Sequence, residues 1–108
     1  RYIAEVGERY GLTISNIFHA GDGNLHPIIL FDPRKPGDLD KARAAGNEIL
    51  ERCIEAGGTI TGEHGVGLEK TELMRRLFSD DTLETIRALK RLFDPANLFN
   101  PGKLLPTD

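Results

Sequence analysis

All three histidines of the 108-residue sequence fall in two glycine-rich segments. His19 and His26 close the run His19-Ala-Gly-Asp-Gly-Asn-Leu-His26, and His64 stands in Gly62-Glu63-His64-Gly65-Val66-Gly67. Imidazoles and carboxylates are the side chains that hold divalent cations and exchange protons near neutral pH. If a β-hairpin closes symmetrically over the first segment, Ile17 faces Ile28 and His19 faces His26. Directly opposed residues on one face have Cβ atoms about 5 Å apart, so the two imidazoles could chelate one ion. Glu63 would add a third ligand from the end of a short extended stretch. Two imidazoles and a carboxylate leave coordination positions for water or substrate, the arrangement of a catalytic rather than a structural metal.

Plainer readings stand beside this one. A histidine near a turn often does no more than satisfy hydrogen bonds, and a one-residue slip in register would turn one imidazole to the opposite face. Gly21, Gly23, Gly62, Gly65 and Gly67 remove bulk as close approach to a ligand requires. Glycine also serves ordinary turns, however, and Asp22-Gly23 is a common turn pair. Other chemistries lack their signatures: residues 62–67 have neither the dinucleotide spacing nor the Walker lysine, and no His-Glu-x-x-His occurs. Cys53 falls on an apolar helical stripe, where a small buried hydrophobe is expected rather than a nucleophile. Arg75-Arg76 and Lys90-Arg91 read as solvated helix faces. For Lys103, capping the tail and reaching a partner domain both remain open.

The elements that must position these groups follow from periodicity. Ile3, Val6 and Tyr10 recur at helical spacing and Gly11 supplies a stop. Residues 13–19 and 25–31 are rich in β-branched and aromatic types, and the Ala-Gly-Asp-Gly-Asn between them favours a hairpin turn. After a loop over residues 32–37, Asp38 can cap a helix running to about residue 56. Its stripe is Leu39, Ala42, Gly46, Ile49 and Cys53. Gly57-Gly58 closes it. Residues 59–61 form either a short strand, completing a right-handed crossover, or an extended entry to the next loop. A helix over residues 68–78 follows. Ser79 then caps another whose buried face is Leu83, Ile86, Leu89 and Phe93. Asp94-Pro95 ends it, leaving a proline-punctuated, extended tail over residues 97–108. The expected fold class is α+β, a small, mostly antiparallel sheet (hairpin plus short strand) with about four helices, in a single domain over residues 1–108.

Composition narrows the function classes. At 39% hydrophobic and 29% charged residues, with mean hydropathy −0.33, the chain is neither disordered nor membrane-spanning in character. Fourteen basic against seventeen acidic residues give a net charge of −3. With no basic block, no nucleic-acid partner is expected. A lone cysteine cannot form an internal disulfide, which fits a reducing, cytoplasmic setting. The sequence opens at Arg1 on what reads as the tail of a helix, so a piece of a larger protein is expected.

Three segments in this order resemble a known family. His19-Ala-Gly-Asp-Gly-Asn-Leu-His26, Gly62-Glu-His-Gly-Val-Gly67 and Asp94-Pro-Ala-Asn-Leu-Phe-Asn-Pro-Gly-Lys103 together look like the C-terminal part of FAD-linked oxidases of the vanillyl-alcohol oxidase superfamily. The likeness is nearest to members that oxidise 2-hydroxy acids of the glycolate or D-lactate type, and it covers nearly the whole chain. It implies a ferredoxin-like arrangement and an FAD-dependent 2-hydroxy-acid oxidoreductase activity. It also implies a divalent metal (zinc, iron or manganese) on His19, His26 and Glu63, with His64 as the proton acceptor. Asn100 and Lys103 match a terminal segment that runs toward the flavin, and only a weak cofactor contact is carried over to them. The implied partners are a small 2-hydroxy-acid substrate, an upstream FAD-binding domain that this chain lacks, and other oxidase subunits. Without that domain the chain is not expected to turn over substrate. The competing expectation is a non-catalytic cap or oligomer-interface domain.

Overall fold

In the computed structural model, which describes residues 1–19 and 21–107, the first helical stripe becomes α1, Tyr2–Tyr10. Val6 is fully buried, with Ile3 and Tyr10 of the same stripe packed beside it. Gly11 ends the helix in the left-handed region at φ 64°, its N–H donated to the Glu8 carbonyl. The Leu12 N–H reaches the Gly7 carbonyl at 2.9 Å, completing a Schellman closure. A Cβ at Gly7 would lie 3.0 Å from the Leu12 carbonyl oxygen, so a side chain there would have to push the reversing backbone aside.

The reversed chain enters an antiparallel hairpin of β1, Thr13–His19, and β2, Asn24–Leu30. Its register corrects the symmetric closure expected from sequence. Ile17 pairs with His26, Ser15 with Ile28, and His19 with Asn24. Asn24 joins the ladder instead of the turn because Gly21 and Gly23, at φ 89° and 71°, tighten the connection. Ala20, part of the expected turn, lies outside the described residues. The offset from the expected pairing is two residues. An even offset preserves the face of every side chain, so both histidines remain on one side.

Past the loop, the Asp38 carboxylate accepts the Asp32 N–H at 2.9 Å and holds the start of α2, Asp38–Glu55. The buried positions are Ala42, Ala45 and Ile49, not the whole predicted stripe: Leu39 is exposed, and Gly46 and Cys53 are half-buried. Ala45 faces inward because the core it meets is small, with Val6, Ala45 and Ile49 packed by Tyr2, Leu12, Ile14 and Ile29. Ile14 and Ile29 pair across the hairpin, which places one face of its base on that core. The other face carries Ile17, Ile28 and both histidines.

These elements make one compact unit, Arg1–Cys53, and Ile54–Asp108 makes a second. The order α1-β1-β2-α2 is the inner part of a ferredoxin-like β-α-β-β-α-β sequence of elements. Residues 59–61 enter the next loop without forming a strand. Among the described residues the sheet has two strands, and the parallel crossover does not form. With four helices and this antiparallel pair, the fold class is α+β.

In the second unit the helix predicted over residues 68–78 contracts to α3, Met74–Leu77. Ahead of it the backbone bonds run three residues back, Leu73 to Lys70 and Met74 to Thr71, both at 3.1 Å. The Thr71 hydroxyl takes up the Leu68 carbonyl at 3.1 Å, competing with α-helical bonding there. The next helix, α4, spans Asp80–Phe93, and Ser79 Oγ accepts the Thr82 N–H at 3.2 Å as the expected cap. Its predicted buried face is only partly realised. Leu83 is fully buried and Ile86 partly so, but Leu89 is half exposed and Phe93 is 81% exposed. The following tail is not extended: Asn97, Asn100 and Leu104 all adopt positive φ and fold it into turns. Asp108 lies outside the described residues.

Ile60, Val66, Leu73, Met74 and Leu83 are buried apolar residues of this second unit. Leu83→Ala should therefore cost roughly 2–5 kcal/mol, the usual range for a truncated core leucine. Chemical denaturation followed by circular dichroism measures it, and a loss below about 1 kcal/mol would contradict a central role for Leu83. Among the described residues no helix is long and apolar enough to cross a membrane.

Candidate metal centre

His19 is the last residue of β1, and His26 sits on β2 opposite Ile17, so the two histidines are diagonal neighbours on one face. Diagonal positions are farther apart than opposed ones but within reach of ring side chains. Here the rings meet edge to face with centroids 5.4 Å apart and planes at 71°. One ligand nitrogen of each lies within 4.8 Å of the other. Two nitrogens each about 2.1 Å from a tetrahedral cation are about 3.4 Å apart, a separation inside that limit. As a donor pair, His19 and His26 fit a divalent metal of the zinc, iron or manganese type. Ile17 and Ile28 flank them on the same face, giving the pair an apolar border.

Glu63 and His64 belong to the second unit, on an exposed loop between two buried apolar anchors, Ile60 and Val66. Hydrogen bonds at both ends and across the middle hold this loop. Lys70 Nζ donates to the Ile60 carbonyl at 2.9 Å. The Gly65 N–H donates to Thr61 Oγ1 at 2.8 Å, across the Gly62-Glu63-His64 arc. At the far end the Leu104 N–H donates to the Gly67 carbonyl at 3.0 Å. Gly65 and Gly67 adopt φ of 83° and 58°, a conformation that a side chain would strain. The sequence reading missed Thr61, Lys70 and Leu104. A hydroxyl four residues ahead of a glycine was the only local signal.

The closing segment is built around Asp94, which the sequence marked as a helix stop and as the start of the third family segment. Its carboxylate is buried and accepts the Leu98 N–H at 2.9 Å and the Phe99 N–H at 3.0 Å. It also pairs with Lys90, whose ammonium donates to the Phe99 carbonyl at 2.8 Å. Lys90 is thus a clasp for the turn, not part of a solvated face, whereas Arg91 stays on the surface beside Glu84. Asn100 and Lys103 are exposed on the turn so held.

The Lys90 ammonium, helped by the two N–H donors, holds the Asp94 carboxyl below its ordinary range against the opposing effect of burial. A depressed folded-state pKa means that the contribution to stability is complete above the unfolded value, about 3.9, and is lost as pH falls through the lower folded value. Thermal melts between pH 6 and pH 2 should show this acid-side loss, with a shallower slope in Asp94→Asn. An unchanged slope in that variant would contradict the clasp. Glu48 behaves alike in the first unit. It is lowered chiefly by the Arg9 guanidinium and also accepts the Tyr2 hydroxyl at 3.1 Å, so Glu48 adds to the acid-side loss, as do Asp32 beside Arg34 and Glu84 beside Arg91.

An α+β fold whose hairpin presents paired histidines, with a Gly-Glu-His-Gly loop and a clasped closing turn, has the three motifs in family order. Residues 1–104 match the family described as FAD linked oxidases, C-terminal domain, and the chain belongs to that family. Among its relatives, glycolate oxidase subunit GlcD of Escherichia coli (strain K12) is 50% identical over 97% of this chain and 21% of its own length. GlcD of Bacillus subtilis (strain 168) is 42% identical over 98% of the chain and 23% of its own length. The mitochondrial D-lactate dehydrogenase [cytochrome] of Arabidopsis thaliana is 38% identical over 88% of the chain and 17% of its own length. The chain thus spans about a fifth of the length of these curated relatives.

Proposed function

We propose that this chain is the substrate-side, C-terminal part of an FAD-dependent 2-hydroxy-acid dehydrogenase of the glycolate or D-lactate type. In this reading residues 1–108 work with an FAD-binding domain elsewhere in a longer, cytoplasmic protein, and with other oxidase subunits. The observation that carries it is the pair of imidazoles on one hairpin face, their ligand nitrogens within 4.8 Å. Family membership over residues 1–104 and the names of the relatives support the substrate class.

His19, His26 and Glu63 are the three ligands in this proposal, and His64 is the base. A 2-hydroxy acid has a hydroxyl and a carboxylate on adjacent carbons, two oxygens that can approach the face of the hairpin together. The divalent metal, when bound, supplies positive charge that orients the acid and favours loss of its hydroxyl proton. Glu63, as a carboxylate, lowers the net charge of the ligand set and so keeps the cation in place at neutral pH. One imidazole nitrogen of His64 accepts the hydroxyl proton. FAD supplies the acceptor for the α-hydrogen and its electron pair, chemistry that belongs to the cofactor and to the domain that binds it.

The test uses the full-length protein carrying this chain. Glycolate and D-lactate are offered to it before and after chelation, and flavin reduction is followed by absorbance. The expected result is loss of reduction on chelation and recovery when Zn²⁺ or Mn²⁺ is returned. Reduction that is indifferent to chelation would overturn the metal-assisted reading.

A second reading, a non-catalytic cap or oligomer interface, is favoured by one observation: Leu92, Phe93, Leu98 and Phe99 near the end of α4 are each at least 70% exposed. Apolar surface of this kind marks contact sites. The two readings separate on the histidines, which the interface reading leaves without a role in metal uptake.

A further inference from the structure

Glu63 and His64 are neighbours on a loop, and a loop positions its side chains only as well as its own backbone is held. Catalytic groups need support to within about 0.5 Å, which ordinarily comes from a hydrogen-bonded outer layer. The ends of this loop are fixed by burial of Ile60 and Val66 and by the backbone bonds to Lys70 and Leu104. Those contacts hold the base of the loop but not its crown. Across the crown runs the bond from the Gly65 N–H to Thr61 Oγ1 at 2.8 Å, enclosing Gly62, Glu63 and His64.

We propose that Thr61 is a positioning residue: its hydroxyl closes the five-residue arc from Thr61 to Gly65 and thereby sets the directions of the Glu63 carboxylate and the His64 imidazole. The arc contains Gly62, and Gly65 sits at φ 83°, so backbone preference alone would leave it free among several shapes. The hydroxyl selects one by giving the Gly65 N–H an acceptor. A threonine suits this better than a serine, since its branched Cβ restricts χ1 and holds the oxygen in place. The inference rests on the ligand and base roles proposed above for Glu63 and His64.

Thr61→Val keeps the shape and removes the acceptor, whereas Thr61→Ser keeps the acceptor. With Mn²⁺ as the probe, isothermal titration of the full-length protein carrying this chain should show Thr61→Val weakening binding roughly 10- to 100-fold, the usual cost of an outer-layer hydrogen bond at a metal site. Thr61→Ser should stay close to the parent. Glu63→Gln is the control for the underlying reading. If Glu63→Gln weakens binding and Thr61→Val does not, the positioning role is wrong and the ligand set stands. If Glu63→Gln has no effect, the ligand assignment falls and the role of Thr61 with it. Amide hydrogen exchange in the unsubstituted chain gives a readout that needs no variant. The Gly65 N–H should be protected, and exchange at the unprotected rate would overturn the proposal.

Discussion

Replacing His64 by alanine is expected to lower the rate of flavin reduction by 10²- to 10⁴-fold in the full-length protein, the range a positioned general base contributes. The metal should remain bound, because the proposed ligands are His19, His26 and Glu63. This combination, turnover lost and metal retained, separates a base from a ligand. Stopped-flow absorbance of the flavin under anaerobic conditions gives the rate, and elemental analysis of the same sample gives the metal content. If His64→Ala keeps most of its rate, the hydroxyl proton leaves by another route. If it loses rate and metal together, His64 is a ligand and the assignment of Glu63 needs revision. His64→Gln should behave like the alanine variant, since an amide hydrogen-bonds but does not accept the proton.

The second large effect concerns the hairpin. His19→Ala and His26→Ala should each weaken Mn²⁺ or Zn²⁺ binding by more than the roughly 10- to 100-fold seen when only an outer-layer partner is removed. Thr13→Ala, on the same face at the far end of the hairpin, should leave binding unchanged. Each side of the comparison excludes a specific alternative. Were the histidines only turn residues, their loss would lower the melting temperature and leave metal uptake intact. Were binding a diffuse property of an acidic chain, Thr13→Ala and His26→Ala would behave alike. Both histidines are on diagonal positions, so neither can be replaced by its neighbour without crossing to the core face.

The hairpin shows how far local pattern reaches. β-branched and aromatic runs on either side of a glycine-rich tip announce two strands, and both form within a residue of the expected ends. The register does not follow from the pattern, because it depends on how many residues the turn consumes. The positive φ values of Gly21 and Gly23 draw Asn24 into the ladder and displace the pairing by two residues. The site survives that error because the displacement is even. In α2 the periodicity predicts the helix almost to the residue, yet the buried stripe centres on Ala45, which packs with Val6 and Ile49 in the small core. For α4 the pattern assigns Phe93 to the interior on spacing alone. The closing turn is held on Lys90 and Asp94 and leaves the Phe93 ring in solvent.

By itself the amino-acid sequence determined which residues could do chemistry, because residue type and spacing set what a side chain can ligate or protonate. It also determined the caps and stops, Gly11 and Ser79, whose effect depends on backbone preference over a few neighbouring residues. Only the tertiary structure decided that His19 and His26 meet as diagonal neighbours, that Thr61 bridges the arc bearing Glu63 and His64, and that Asp94 gathers the closing turn. Those outcomes turn on register, on which carbonyls and amides remain for a side chain to satisfy, and on what is left uncovered once the small cores have packed. Each is a property of several segments at once, which no local window of sequence contains.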